Sequence, residues 1–323
     1  RNDENIFVSQ IQGLFICAHN ILLNEVIQKS NLGQAVIAKA KEGTASETWT
    51  VQVPEPMTDF QVVRRFLRLH YQRIVMTDFL PQMIVPDIIS ACIATDPFGP
   101  DAALMPVEFS GAVYRFGHAT VQEEYSLQLG GTKQTVFAKK GFEPRSDAHD
   151  IAMAAFFGPS AQKARPVGTD VAESLFSLPF IKHGLTLLDG TVVNLEQAQK
   201  LPLRNILRDR FTLQIASGQQ MADILGTKVF DVPKALADFK IEKTPLWFYA
   251  LQEAKAAGGK LDGVGGTIVA SVLARLLKLD PTSYFAIDGF EPILDFSTLA
   301  KLAQFVEAKR DNLPQRSHLW CPS

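Results

Sequence analysis

Apolar residues at Val8, Ile11, Phe15, Ala18, Leu22 and Val26 recur at the spacing of one buried helical face, which predicts a long helix near the start of the chain. A Pro-Glu-Pro break at 54–56 precedes Thr58-x-x-Gln61, a capping-box pattern in which the Thr hydroxyl and Gln amide satisfy each other's backbone N–H groups. It opens the apolar series Val63, Phe66, Leu67, His70, Ile74 and Phe79, so a second long helix is expected, stopped by Pro81. Residues 87–106, rich in Asp, Pro and Gly, read as a loop, and helix resumes at Val107. Alternation at Tyr125, Leu127 and Leu129, then Gly130-Gly131, then Val136 and Phe137, predicts a short hairpin, the sole strand signal. Helical patterns follow at 151–157, 170–178, 195–215, 244–257 and 263–277, and 310–323 reads as an irregular tail. The expected class is mainly α, with one domain over 1–309.

Composition narrows the functional classes. The 323 residues are 46% hydrophobic and 20% charged, enough for a large core. A net charge of -2 without long like-charge runs gives no footprint for nucleic acid or an anionic membrane. No eighteen-residue run of uninterrupted apolar side chains occurs, so no transmembrane segment is expected. The chain begins Arg1-Asn2-Asp3-Glu4-Asn5 with neither initiator Met nor signal-like segment, so compartment and oligomeric state are not legible. Cys17, Cys92 and Cys321 are far apart and lack C-x-x-C spacing, so no thiol receives a role.

None of the six histidines forms a His-x-x-x-His or His-Glu-x-x-His pair suited to zinc. His118 differs in context: it lies in Tyr114-Arg115-Phe116-Gly117-His118-Ala119-Thr120, a helix thinned by Gly111, Gly117 and Ala119. Small residues let a flat group approach the backbone, and a haem needs an axial imidazole with a hydrogen-bond acceptor on its other ring nitrogen. A core histidine satisfied by a backbone carbonyl is the competing reading.

Several segments, in order, resemble the animal-type haem peroxidase superfamily, and its bacterial members most. Arg1-Asn2-Asp3-Glu4-Asn5 and then Leu14-Phe15-Ile16-Cys17-Ala18-His19-Asn20 are similar to the family's R-x-x-E element and the H-N on the next helix. Thr77-Asp78-Phe79-Leu80-Pro81 resembles the end of the following helix, and Tyr114-Arg115-Phe116-Gly117-His118 the proximal-histidine helix. Leu203-Arg204-Asn205-Ile206-Leu207-Arg208-Asp209-Arg210 resembles the family's L-x-N-x-x-R-x-R element. The stretch from Thr244-Pro245-Leu246-Trp247-Phe248-Tyr249 to Leu277 is similar to the carboxyl-terminal helices, so the likeness covers residues 1–285.

The resemblance implies haem b as cofactor, with His118 as the proximal iron ligand and Asn205 as the acceptor for its Nδ1–H. Arg1 becomes the distal arginine, a fixed cation where peroxide cleavage develops negative charge. Glu4 is the carboxylate that in this family can esterify a haem methyl; its plainer role is a first-turn acid at a helix N-terminus. Arg115 and Arg208 become partners for the haem propionates, with surface salt bridges as the alternative. His19 takes a structural role on a packed helix face, and His70, His149, His183 and His318 take none.

The implied activity is hydrogen-peroxide-dependent oxidation of small organic donors or halide through an oxo-ferryl intermediate. The family's distal histidine, calcium ligands and second esterifying carboxylate lie upstream of or beside the R-x-x-E element, outside this sequence. Residues 1–323 alone are therefore expected to bind haem yet oxidise a phenol slowly. Two alternatives share the fold. A fatty-acid dioxygenase carries a tyrosine three residues before the proximal histidine; here that position is Arg115, with Tyr114 one place further away, which argues against it. A non-catalytic haem-binding or cell-contact module has no use for Arg1, His118 and Asn205 together.

Overall fold

The computed structural model describes residues 6–43, 56–99, 104–137, 145–208 and 213–313. It is mainly helical. The first helices are α1 (Ile6–Ile27), α2 (Asn31–Ala40), α3 (Asp59–Ile74), α4 (Leu80–Met83), α5 (Pro86–Ala94) and α6 (Leu195–Ala198). They are followed by α7 (Leu201–Leu207), α8 (Gly218–Leu225), α9 (Lys234–Ala237), α10 (Leu246–Ala256), α11 (Gly263–Leu279) and α12 (Leu299–Lys309). Strands are two residues long: β1 (Tyr125–Ser126) pairs antiparallel with β2 (Lys133–Gln134), and β3 (Leu185–Thr186) with β4 (Val192–Val193).

The chain divides into two compact units, each assembled from discontinuous stretches: 1–78, 124–163 and 277–323 form one, and 79–123 with 164–276 the other. In the first, α1 packs on α2, α3 and α12 around Leu14, Ala18, Leu22, Val36, Val63, Phe66, Phe296 and Phe305. α3 starts as its sequence requires, with the Thr58 hydroxyl accepting from Gln61 N–H and the Gln61 side chain accepting from Thr58 N–H. By length and composition α1 could cross a membrane, although the expectation from uninterrupted apolar runs was that no segment could. Its polar positions, Gln10, Gln12, His19 and Asn20, break the run, and its apolar face is packed as in a core helix.

In the second unit, α8 opens with a capping box of Ser217 and Gln220 and closes on Gly226 in the left-handed conformation. A side chain at Gly218 would overlap the Tyr249 ring, so glycine is what lets α8 approach α10. The carboxylate of Glu253, on α10 and 1% exposed, accepts from Val264 N–H and Gly265 N–H, each at 3.0 Å, and so caps the start of α11.

Several expectations are corrected. The presumed loop from Asp87 begins with α5: Pro86 occupies its first turn, where a missing N–H costs nothing, and Asp87 complements the helix dipole. Pro81 does not stop the helix. The chain passes through a π turn at Val75–Phe79 into α4, where Pro81 again sits in the first turn. The patterns at 151–157 and 170–178 yield only 3-10 turns, Met153–Ala155 and Glu173–Phe176. The stretch 195–215 holds α6 and α7, and residues 209–212 lie outside the described chain. The β3–β4 hairpin, α2, α8, α9 and α12 are additions. Of the tail, Arg310–Asn312 forms a 3-10 turn, and 314–323 fall outside the described residues.

Candidate functional site

His118 lies in a 3-10 segment, Val113–Thr120, entered through a π turn at Glu108–Ala112, where an α-helix was expected. Two causes are visible. Gly111 and Gly117 weaken α-helix formation, and the Arg115 carbonyl receives the Trp247 Nε1–H from α10 at 3.1 Å. The change has a geometric effect, because in a 3-10 helix residues i and i+3 eclipse, so Arg115 and His118 share one face. The small residues divide. A side chain at Gly111 would run into Leu213 and Ile215, and Ala119 is wholly buried, so both serve packing; beside His118 only Gly117 faces open space.

α7 brings Asn205 to this segment. Its side-chain amide is 1% exposed, and Nδ2 lies 3.0 Å from His118 Nδ1, joining residues 87 positions apart. Asn205 Oδ1 is buried and has no hydrogen-bond partner among the described residues. Turning the amide over exchanges its two ends. With Nδ2 toward the ring, Nδ1 accepts and the proton sits on Nε2. With Oδ1 toward the ring, the orphaned acceptor is satisfied by Nδ1–H, and the lone pair is on Nε2. No hydrogen bond reaches Nε2 among the described residues.

The electrostatics keep the ring neutral. Burial is the largest cause, followed by the positive charges of Arg115 and Arg208, and together they pull His118 down to about 4 against the smaller upward pull of Asn205. Arg115 is itself lowered, first by burial and then by the charge of Arg208, and its Nε donates to the Gly111 carbonyl at 3.1 Å. Two guanidinium groups thus act on each other and on one uncharged imidazole. Such an arrangement suits a dianionic ligand that also presents a Lewis-acidic centre to the imidazole.

Of the residues singled out from sequence, His118, Asn205, Arg115 and Arg208 come together here. Arg1 and Glu4 lie outside the described residues. The His19 ring packs tilted against Phe60 with centroids 4.7 Å apart, and its Nε2 is buried without a hydrogen-bond partner among the described residues. Sequence reading missed Trp247, whose indole holds the backbone between Arg115 and His118, and Glu253. A signal for Glu253 existed, since it interrupts the buried series Leu246, Trp247, Ala250 and Ala254 and precedes a helix that opens with glycines.

No protein-family model matches the chain, and no curated protein matches it.

Proposed function

We propose that the chain is the haem-binding part of a peroxidase of the animal-type haem peroxidase superfamily, using hydrogen peroxide to oxidise small organic donors or halide. The observation that carries the reading is the buried Asn205 amide 3.0 Å from His118 Nδ1, with an acceptor oxygen that lacks a partner. An amide oxygen on Nδ1–H fixes the tautomer whose Nε2 lone pair can ligate iron, and a neutral partner leaves the imidazole less electron-rich than a carboxylate would. His118 would hold the iron, and Arg115 and Arg208 would hold the two propionates. Bound haem supplies the redox chemistry with peroxide. Burial and the paired arginines do the rest: they keep His118 unprotonated at neutral pH, so that ligation competes with no proton.

Glu4, as a site for covalent attachment, and Arg1, as the cation that stabilises charge on peroxide, complete the reading. The family's calcium ligands lie outside residues 1–323, so no residue is assigned to calcium.

The test is titration of the chain with ferric haem, followed by absorption spectroscopy. The wild type should give the spectrum of histidine-ligated haem, and His118→Ala should lose it with an affinity drop on the order of 100-fold or more. An unchanged spectrum in the variant refutes ligation by His118.

A further inference from the structure

α3 carries a row of polar side chains that hold one irregular stretch of chain, residues 280–299, along its length. Arg68 donates to the Thr282 hydroxyl at 3.1 Å, the Gln72 side-chain oxygen accepts from Tyr284 N–H at 3.1 Å, and His70 Nε2 accepts from Ile293 N–H at 3.1 Å. Just beyond the helix, Asp78 accepts from Leu299 N–H at 3.0 Å, at the start of α12. The stretch is a strap tied at four points.

His70 is the tie in the middle, and its proton inventory is fixed by geometry. Nδ1 lies 2.8 Å from the Phe66 carbonyl, which can only accept, so Nδ1 carries the hydrogen and Nε2 is the bare acceptor that Ile293 N–H requires. The ring is 1% exposed and packs against Phe66, Phe290 and Phe296. The charged groups acting on it are both cations: Lys39, from α2, which also sits over the Phe290 ring, and Arg73, from α3 itself. Tyr284, from the 3-10 turn beside α3, is half-buried and pairs with Phe290, and loss of solvent raises its hydroxyl above the usual range. Among the described residues, no carboxylate is among the charges that act on the His70 ring. A proton on Nε2 replaces the acceptor by a second donor facing Ile293 N–H, and leaves a buried charge between two like charges.

We propose that His70 is a proton-operated latch, which in its neutral form holds residues 280–299 against α3 and on protonation lets the middle of that strap go. The Gln72 amide does not titrate, whereas the bonded nitrogen of His70 turns from acceptor to donor when it takes up a single proton. The released stretch includes Phe290 and Phe296, the latter packed on Phe66 of α3 and Phe305 of α12, so the first effect is loosening of α12 from the core of its unit.

The sign follows from linkage. His70 in the closed strap is held down to about 4 by burial, and in the open strap it returns toward 6.5, so the open form gains protons as pH falls through that window. Opening should become favoured roughly 30-fold on going from about pH 7.5 to about pH 5. Amide hydrogen exchange of the whole chain reads this directly, once corrected for the intrinsic pH dependence of exchange. Protection across 287–296 should fall by that factor in the wild type, while core amides of α1 keep theirs. In His70→Gln, which retains an acceptor and cannot titrate here, protection should stay level. A wild-type strap that remains protected at pH 5, or a parallel loss in His70→Gln, overturns the latch. Should His70→Gln fail to fold, NMR titration of the wild-type ring decides. Proton uptake below pH 5 that coincides with strap exchange supports the proposal, and uptake near pH 6.5 with the strap still protected sinks it.

Discussion

His70 and His118 are both held down to about 4, with burial the largest cause in each case, yet their surroundings assign them opposite work. His70 has both ring nitrogens spent on backbone, one on the Phe66 carbonyl and one on Ile293 N–H, and aromatic rings close over it. His118 spends one nitrogen on a buried amide and keeps the other clear of hydrogen bonds among the described residues, beside an open glycine and between two arginines. A depressed pKa therefore does not mark function by itself. What separates a structural imidazole from a ligand is where the second nitrogen points and what charge surrounds it.

The sharpest way to break this contrast is to remove each ring in turn and measure unfolding by denaturant. His70→Leu should cost about 3 kcal/mol, because Ile293 N–H loses its acceptor inside the core. His118→Leu should cost less than about 1 kcal/mol, since the site is half-buried and tied to the protein through one nitrogen. Equal costs would mean that the two histidines play the same structural part.

A smaller effect tests the amide. Asn205→Leu fills the same space without an acceptor, so it should leave haem able to bind but weaken it by about 10- to 100-fold, read by spectroscopic titration. Unchanged affinity would show that the orphaned Asn205 oxygen has nothing to do with a ligand.

The smallest effect concerns a third buried titratable group, which serves as a control for both histidines. Burial pushes Glu253 up to about 7 against the two N–H donors that hold it down. Its stabilising share is complete below its ordinary value of 4.5 and is lost as pH rises through 7. Glu253→Gln turns an amide NH2 toward one of those donors and should cost about 1 kcal/mol at mildly acidic pH, with the deficit shrinking as pH rises. A deficit that grows with pH would reverse the sign assigned to this carboxylate.

How much of this could be read beforehand depended on whether the signal was local. α1, α3, α10 and α11 are long enough for the 3.6-residue period to accumulate, and the Thr58–Gln61 capping box marks its own helix start. α2 is only ten residues long, and its apolar positions, Leu32, Ala35, Val36, Ile37, Ala38 and Ala40, spread too far round the helix to give a clear period. Residues 87–94 were misread because Pro86 and Asp87 look like breakers, whereas in the first turn of a helix they are favourable. The patterns at 151–157 and 170–178 were apolar because they pack, and packing does not require an α-helix.

At the site, the residue types were legible and the geometry was not. The order of motifs singled out His118, Asn205, Arg115 and Arg208 by resemblance alone. Arg115 and His118 would be neighbours in an α-helix too, but the 3-10 turn eclipses them, and apart from Gly117 little local to Tyr114–Thr120 chooses 3-10 over α. The choice involves Trp247, more than a hundred residues later, donating to the Arg115 carbonyl.

The sequence by itself determined a mainly helical chain, its longest helices and the start of α3, because periodicity and capping act over a few residues. Tertiary structure decided which histidine is which. His70 looked bland and holds a strap that begins more than two hundred residues away, while His118 acquires its partner from α7. Solvent exclusion, charge at a distance and hydrogen bonds between remote segments set the properties of an imidazole, and those exist only once the chain has folded.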